Sequence, residues 1–373
     1  TLDHLQKAGL VGRDEATGQY RYLSEKERGI EEAITAEITE YGVGVSRRKA
    51  IELLKKYALT PAKWNQFKVT LGKSGMIPFS LLLDDENISS EGEVTVRLFS
   101  PFVNPKCEEI EQQNLAYGTK GRTIWWISGE DKTLIDKLKR LEALYKVLEK
   151  PKWRNDRSDE TVRVIKDKEK ERAILETHLA GLLEMCLKKG GIYYSGETTD
   201  LKGDKELRAI MEEFAGAVVS HLYTRFPMAD RVFNEKNIPA YLKPGTKSLD
   251  QLDAELGLFD AQGNLMRNSP LVETLFEELS RRKDEALDLD GKAMSEHFEK
   301  IPFGWPEGLL RLVLSAMFRG GAIYLEPQDS DQPLYDLGTP GIETFFTGPQ
   351  KFKKTRFIPT TGGLTPAEVK AAR

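Results

Sequence analysis

At 373 residues the chain has room for about two or three domains and for well-buried cores. Its make-up, 39% hydrophobic and 31% charged, excludes wholesale disorder, a collagen-like repeat and a disulfide scaffold. The formal net charge of −4, from 55 basic and 59 acidic residues, excludes a polycation, so any nucleic-acid contact must come from local patches. The first elements, in chain order, are a helix tail and a hairpin. Leu2 to Val11 reads as the end of an amphipathic helix closing at Gly9. Turn residues Gly12, Asp14, Thr17 and Gly18 then separate Leu10-Val11 from Tyr20-Arg21-Tyr22-Leu23. A glycine-stopped helix followed by a two-stranded flap is the back half of a winged-helix unit. Ser24, with Glu27 three residues on, caps a long helix whose Ile30, Ile34 and Ile38 form one apolar stripe.

From residue 59 the pattern changes. Residues 67–71 and 93–99 alternate as strands do, and Thr123-Ile124-Trp125-Trp126-Ile127 is apolar enough for a strand covered on both faces. A polar turn at 128–131 leads into a helix carrying Leu134, Leu138, Leu141, Leu144, Tyr145 and Leu148, the element order of a small α/β domain. Pro151 ends that helix. Residues 151–172 mix both charge signs and predict a solvated linker or the exposed arm of a helical hairpin. An amphipathic helix from Ile174 to Cys186 follows, stopped at Lys188-Lys189-Gly190-Gly191, and then a strand at 192–194. Residues 204–300 read as mostly helical, broken at Pro227, Pro239, Pro244-Gly245 and the turn Asp260 to Asn264.

The last unit opens with Ile301-Pro302-Phe303-Gly304-Trp305-Pro306. It continues with a helix from Leu309 to Phe318, a stop at Gly320-Gly321, a strand at 322–325 and a loop at 327–349. Thr365-Pro366, with Glu368, starts another helix that runs only to Arg373. Thr1 in place of methionine, the helix tail and this short helix lead to the expectation of a segment cut from a longer chain. The fold class expected is α+β, predominantly helical, with winged-helix-like units flanking a small α/β domain and helical arms. The boundaries are 1–58, 59–150, 151–300 and 301–373. Leu187 to Tyr194 echoes Phe318 to Leu325: helix, base, two glycines, aromatic strand. A glycine helix stop beside a basic residue gives the same form without any repeat.

Motifs for bond chemistry are missing. Gly72-Lys73-Ser74 resembles the end of a phosphate-binding loop, but the position five before Gly72 is Phe67. Gly118-Thr119-Lys120-Gly121-Arg122-Thr123 enters a strand and reads as a turn. Cys107, Cys186 and four histidines are too few for a metal cluster and fit a reducing, cytoplasmic setting. His178 and Cys186 lie eight apart on one helix, while His221 and His297 are isolated. No Gly-x-Ser-x-Gly elbow occurs, and Asp288-Leu289-Asp290-Gly291 lacks the rest of a calcium loop. No catalytic, cofactor or metal residue is therefore assigned. No run approaches the ~18 apolar residues of a membrane span. What remains is basic clusters: Arg47, Arg48 and Lys49; the stretch Lys150 to Lys170; and Lys351, Lys353, Lys354 and Arg356, with Phe352 and Phe357 interleaved. The last set suits nucleic acid, a protein partner or a plain solvated surface, and the sequence leaves the three open.

Two stretches resemble a known family. Gln19 to Arg28, QYRYLSEKER, is similar to the YRFLTEEER type of segment that follows the ATPase core in the large P-loop proteins of BREX phage-defence systems, the BrxC and PglY type. Phe303-Gly304-Trp305-Pro306 with Leu309 to Gly321 resembles their YGWPxxLLRLLLAALFRAG segment. The strand 124–127 with its long helix, and Glu171-Arg172 onward to Tyr193-Tyr194-Ser195-Gly196, follow the same order. The resemblance implies a middle segment of a roughly thousand-residue ATPase, with ATP and Mg held elsewhere in the parent. It also implies antiviral defence alongside a DNA methyltransferase and other partners. The resulting expectation is a non-catalytic scaffold segment engaging other defence-system proteins, double-stranded DNA, or both, with no membrane contact. Two alternatives stand beside it. One is a metal-dependent nuclease or NTP-using domain around 67–148, needing acids such as Glu130 and Asp131 to converge at strand ends. The other is a homo-oligomerisation module.

Overall fold

The computed structural model describes residues 5, 11–13, 20–64, 67–73, 75–89, 92–116, 121–330 and 332–360. The first helix tail, the turn at 14–19, Ser74, residues 117–120 and the helix start at 365–373 lie outside them. The chain divides into two compact units, Thr1–Phe67 with Pro78–Glu212, and Lys68–Ile77 with Glu213–Arg373. The architecture is α+β with helix predominating.

In the first unit, β1 (Val11–Arg13) pairs antiparallel with β2 (Tyr20–Tyr22), Val11 opposite Tyr22, as the hairpin reading expected. Helix α1 (Glu25–Glu40) opens with a complete capping box. The Ser24 hydroxyl accepts from the Glu27 N–H, and the Glu27 carboxylate accepts from the Ser24 N–H. Ile30 and Ile34 are fully buried. Helix α2 (Val43–Leu53) follows, widening into a π turn at Leu54–Ala58, where the Leu59 N–H donates to the Leu54 carbonyl.

The sheet strands are β3 (Lys68–Leu71), β4 (Gly75–Leu83), β5 (Glu86–Ser89) and β6 (Val94–Phe99). Helix α3 (Cys107–Ala116) leads to β7 (Thr123–Ile127). Helices α4 (Leu134–Leu148) and α5 (Asp159–Lys188) lead to β8 (Gly191–Tyr194), β9 (Glu197–Asp200) and α6 (Leu207–Leu222). Hydrogen-bonded neighbours run β3-β4-β6-β7-β8-β9, with β5 beside β4. Strands β4, β6 and β7 are parallel, whereas β8 and β9 close the sheet antiparallel. Strand β7 has both faces covered, as its composition predicts. The Trp125 indole N–H donates to Asn114 on α3, and that of Trp126 donates to the Leu187 carbonyl on α5.

The charged stretch after Pro151 is not a solvated linker. Pro151–Arg154 forms a short helix of its own, and the residues from Asp159 on form the first half of the 30-residue α5, which folds back against α4 as a hairpin. Its charges are used. Arg140 on α4 bonds Glu31 on α1 and Glu171 on α5, and Lys168 bonds the same two carboxylates. Burial opposes ionisation of Glu31, but Arg140 and Lys168 overcome it and hold the carboxyl below its usual range.

Two further carboxylates fasten the helices and set a pH dependence. Lys146 and Lys150 bond Glu37 and bring it to about 2. Burial would raise Glu176, yet bonds from Lys56, Tyr145 and Tyr57 also bring it to about 2. Folded values below the ordinary 4.5 mean that this stabilisation is complete above about pH 4.5 and is lost as pH falls towards 2. The melting temperature is expected to drop across that window, with a shallower drop in Glu176→Gln; an unchanged acid limb in that variant would refute the assignment.

The second unit holds α7 (Pro270–Asp284), α8 (Gly291–Phe298), α9 (Glu307–Arg319), β10 (Ile323–Pro327) and β11 (Thr355–Pro359). The expected helix, double-glycine stop and strand are all present, and the partner of β10 is β11, antiparallel, Ile323 opposite Pro359. Before α8, Asp290 bridges to Arg356, and the Phe357 N–H donates to the Leu289 carbonyl, so a third extended piece lies on β11. Trp305 stacks on Phe298 with ring centres 4.6 Å apart. The stretch read as loop at 327–349 gives way to two short helices, Thr344–Thr347 and Pro349–Lys354, which drive Phe346 and Phe352 into the core.

The two double-glycine stops differ in cause. Gly321 has a φ of +66°, a left-handed residue ending α9. After α5 the constraint is contact: a Cβ on Gly190 would lie 1.9 Å from the Ile127 carbonyl oxygen. The shared form is two separate solutions to stopping a helix before a strand.

Candidate functional site

The Arg47, Arg48 and Lys49 cluster sits on α2 and faces carboxylates of its own unit. Arg47 Nε bonds Asp84 at 2.9 Å. Lys49 is held between Glu52 and Glu142, each at 2.7 Å, and lies over the Tyr145 ring. Arg48 is largely exposed, 3.9 Å from Glu142. Two of these three cations therefore fasten α2 to the sheet and to α4.

Asp84 carries no signal in the sequence beyond standing in an Asp-Asp turn. The parallel arrangement of β4, β6 and β7 places it at the carboxyl end of β4, where open α/β sheets bind ligands. Its side chain is fully buried and fully engaged. It accepts from the Ser100 N–H at 2.7 Å, the Ser100 hydroxyl at 2.6 Å and Arg47 at 2.9 Å. At the end of β7, Glu130 is exposed, and Asp131 accepts from the Thr133 hydroxyl and N–H, which hold it below its usual range. Asp84 and Asp131 are thus separately occupied, each by its own neighbours. Cys186 is buried, which pushes its thiol up to about 11, and no group of three His, Cys, Asp or Glu among the described residues could hold a metal ion.

The fragment resembling a phosphate-binding loop is a turn between β3 and β4. Gly72 has a φ of +59°, and the Lys73 N–H donates to the Asp230 carboxylate. A Cβ on Gly72 would lie 2.4 Å from that same group. A carboxylate stands where a phosphate would have to sit, so these residues do not fit a nucleotide.

The C-terminal patch lies in the second unit. Lys351, Lys353, Lys354 and Arg356 are exposed, while the interleaved Phe352 and Phe357 are buried at 0% exposure. These aromatic rings are core, not stacking platforms. Lys351 turns aside to Thr344 and the Phe345 ring. The other three border an open hollow of about 460 Å³ with Lys292, Asp290, Glu326, Pro327 and Gln328. Lys292 stands about sixty residues away in the chain and is brought in by the bridge between Asp290 and Arg356. Arg356 bonds Glu326 at 2.9 Å, whereas Lys353 to Glu307 at 3.8 Å and Lys292 to Glu296 at 3.9 Å are loose pairs. Among the described residues no helix is long and apolar enough to cross a membrane.

Residues 45–216 match the family model described as the BREX ATP-binding protein BrxC 4th domain with six-stranded beta sheet. That span contains the whole run β3-β4-β6-β7-β8-β9, six strands along one hydrogen-bonded path. No curated protein and no solved structure matches the chain.

Proposed function

From a chain whose residues 45–216 are of the BrxC type of BREX protein, we propose that this segment is a framework of the phage-defence assembly. It performs no bond chemistry and presents surfaces to the other defence-system proteins. One observation carries this reading: the buried acid at the carboxyl ends of the parallel strands is spent on the fold. Asp84 is consumed by Ser100 and Arg47, and Arg140 ties three helices together. Asp230 fills the Gly72-Lys73 loop that resembles a phosphate cradle, so the handling of ATP and Mg is assigned to other residues of the parent protein.

The test is capture by the tagged chain of each other purified protein of the defence system, with parallel assays of ATP hydrolysis and DNA cleavage. Stoichiometric capture of at least one, with neither activity, is expected. Cleavage that needs Mg or Mn would replace this reading with the nuclease around 67–148. Capture of a second copy of the chain alone would replace it with the oligomerisation module.

A further inference from the structure

The second unit runs in the order α7, bridge at Asp290, α8, α9, β10, β11, with the bridge and both strands sharing one small sheet. This is the order of a winged-helix unit, in which the third helix ordinarily enters the major groove. Here α9 cannot do so. Gly308, Leu309, Leu310 and every residue from Leu312 to Phe318 are buried. The segment 235–242 packs on α9 from one side and Thr344–Thr347 from another. Gly308 abuts Glu235, and Gly320 abuts Leu265 so closely that a Cβ would lie 2.4 Å from the Leu265 Cβ. Base stacking is equally closed, since Phe352 and Phe357 are internal.

What the unit does expose is its sheet edge, with four cations, Lys292, Lys353, Lys354 and Arg356, and two carboxylates, Asp290 and Glu326, around one hollow. The lining itself carries four positive and two negative charges on a chain of net charge −4. Outside it, Glu296 and Glu307 lie 3.9 and 3.8 Å from Lys292 and Lys353, beyond hydrogen-bond distance, which leaves both ammonium groups able to turn to a phosphate. Asp290 is turned inward, since its carboxylate caps α8 by accepting from the Ala293 N–H. Three of the four cations are lysines in loose pairs or in none of the ion pairs described.

We infer that this edge binds the phosphate backbone of double-stranded DNA without reading its sequence. The inference does not depend on the protein-contact reading above, and either can fail alone. It is tested by fluorescence anisotropy of the 373-residue chain with labelled duplexes of AT-rich, GC-rich and mixed sequence, over a salt series. Four contacts allow a slope of log affinity against log salt no steeper than about −3.6, at roughly −0.9 per phosphate. The double variant Lys292→Glu with Lys354→Glu should weaken binding at least about tenfold and bring the slope towards about −1.8. Both lysines are exposed, so the variant should melt like the parent chain. Arg48→Glu, in the other unit, should bind as the parent does. Affinities that agree across the three duplexes, with this slope and this loss, support the inference. No binding at low salt would overturn it and leave the hollow to a protein partner. A tenfold preference among duplexes would overturn it in favour of groove reading, and binding unchanged in the double variant would place the contact elsewhere.

Discussion

Replacing Gly190 by alanine is expected to unfold the first unit at temperatures the parent chain tolerates. The added Cβ would lie 1.9 Å from the Ile127 carbonyl oxygen and 3.0 Å from the Ser128 Cα, both main-chain atoms at the end of β7. No side-chain rotation relieves such a collision. Either β7 or the end of α5 must move, and both are fixed: Trp126 on β7 donates its indole N–H to Leu187 on α5, and the Gly129 N–H donates to the Cys186 carbonyl. The expected cost is about 3 kcal/mol or more, the upper range for overpacking. In a unit of this size that is a fall of about 6–12 °C in melting temperature. Gly181→Ala supplies the contrast. Gly181 lies inside the same helix, exposed, with nothing within 4 Å of a new Cβ, so it should gain about 1 kcal/mol in helix propensity. Urea unfolding of the two variants, followed by circular dichroism, decides the matter. A Gly190→Ala variant within about 0.5 kcal/mol of the parent would mean that the helix–sheet junction is not as close as described.

The same junction explains how much of the fold could be read in advance. Elements fixed by local chemistry were legible: the Ser24 box, the stripe Ile30-Ile34, the doubly covered strand 123–127 and the glycine stops at 190 and 321. Strand β4 was not. Pro78 interrupts it, and Leu81-Leu82-Leu83 hides an alternation that emerges only as burial, with Met76 and Pro78 facing out while Ile77 and Phe79 face in. The charged run 151–172 was ambiguous because its partners, Glu31 and Arg140, come from other helices. Site residues divide in the same way. A basic run such as 351–356 is visible in the sequence. The fate of each charge is not, since Lys292 joins the patch through a single bridge and Arg47 leaves the surface for Asp84.

Asp84 is the second residue whose removal should be severe, and it separates a structural acid from a catalytic one. Its carboxylate is fully buried and receives three donors, two from Ser100 and one from Arg47. Its own N–H donates to the Leu98 carbonyl on β6, and its backbone is left-handed, with a φ of 47°. Asp84→Ala strands the buried Ser100 amide and hydroxyl, leaves the Arg47 guanidinium without its counter-charge, and puts alanine in a conformation it disfavours. The expected loss is about 3–5 kcal/mol. Asp84→Asn keeps an acceptor for the Ser100 N–H and tolerates the left-handed backbone. Its amide nitrogen takes the place of Oδ2, so the Ser100 hydroxyl must turn from donor to acceptor and Arg47 loses its counter-charge; about 1–3 kcal/mol is expected. Arg47→Ala should fall between, and the double variant Arg47→Ala with Asp84→Ala should cost less than the sum, because the two residues answer one another. A ligand-binding acid behaves in the opposite way: buried acids kept for chemistry cost stability, so their neutral variants hold or raise it while abolishing activity. Denaturant unfolding of the four variants therefore tests the framework reading at the position where an enzyme built on this sheet would keep its acid. Destabilisation in the order alanine, then asparagine, is the outcome that the three bonds to Asp84 require.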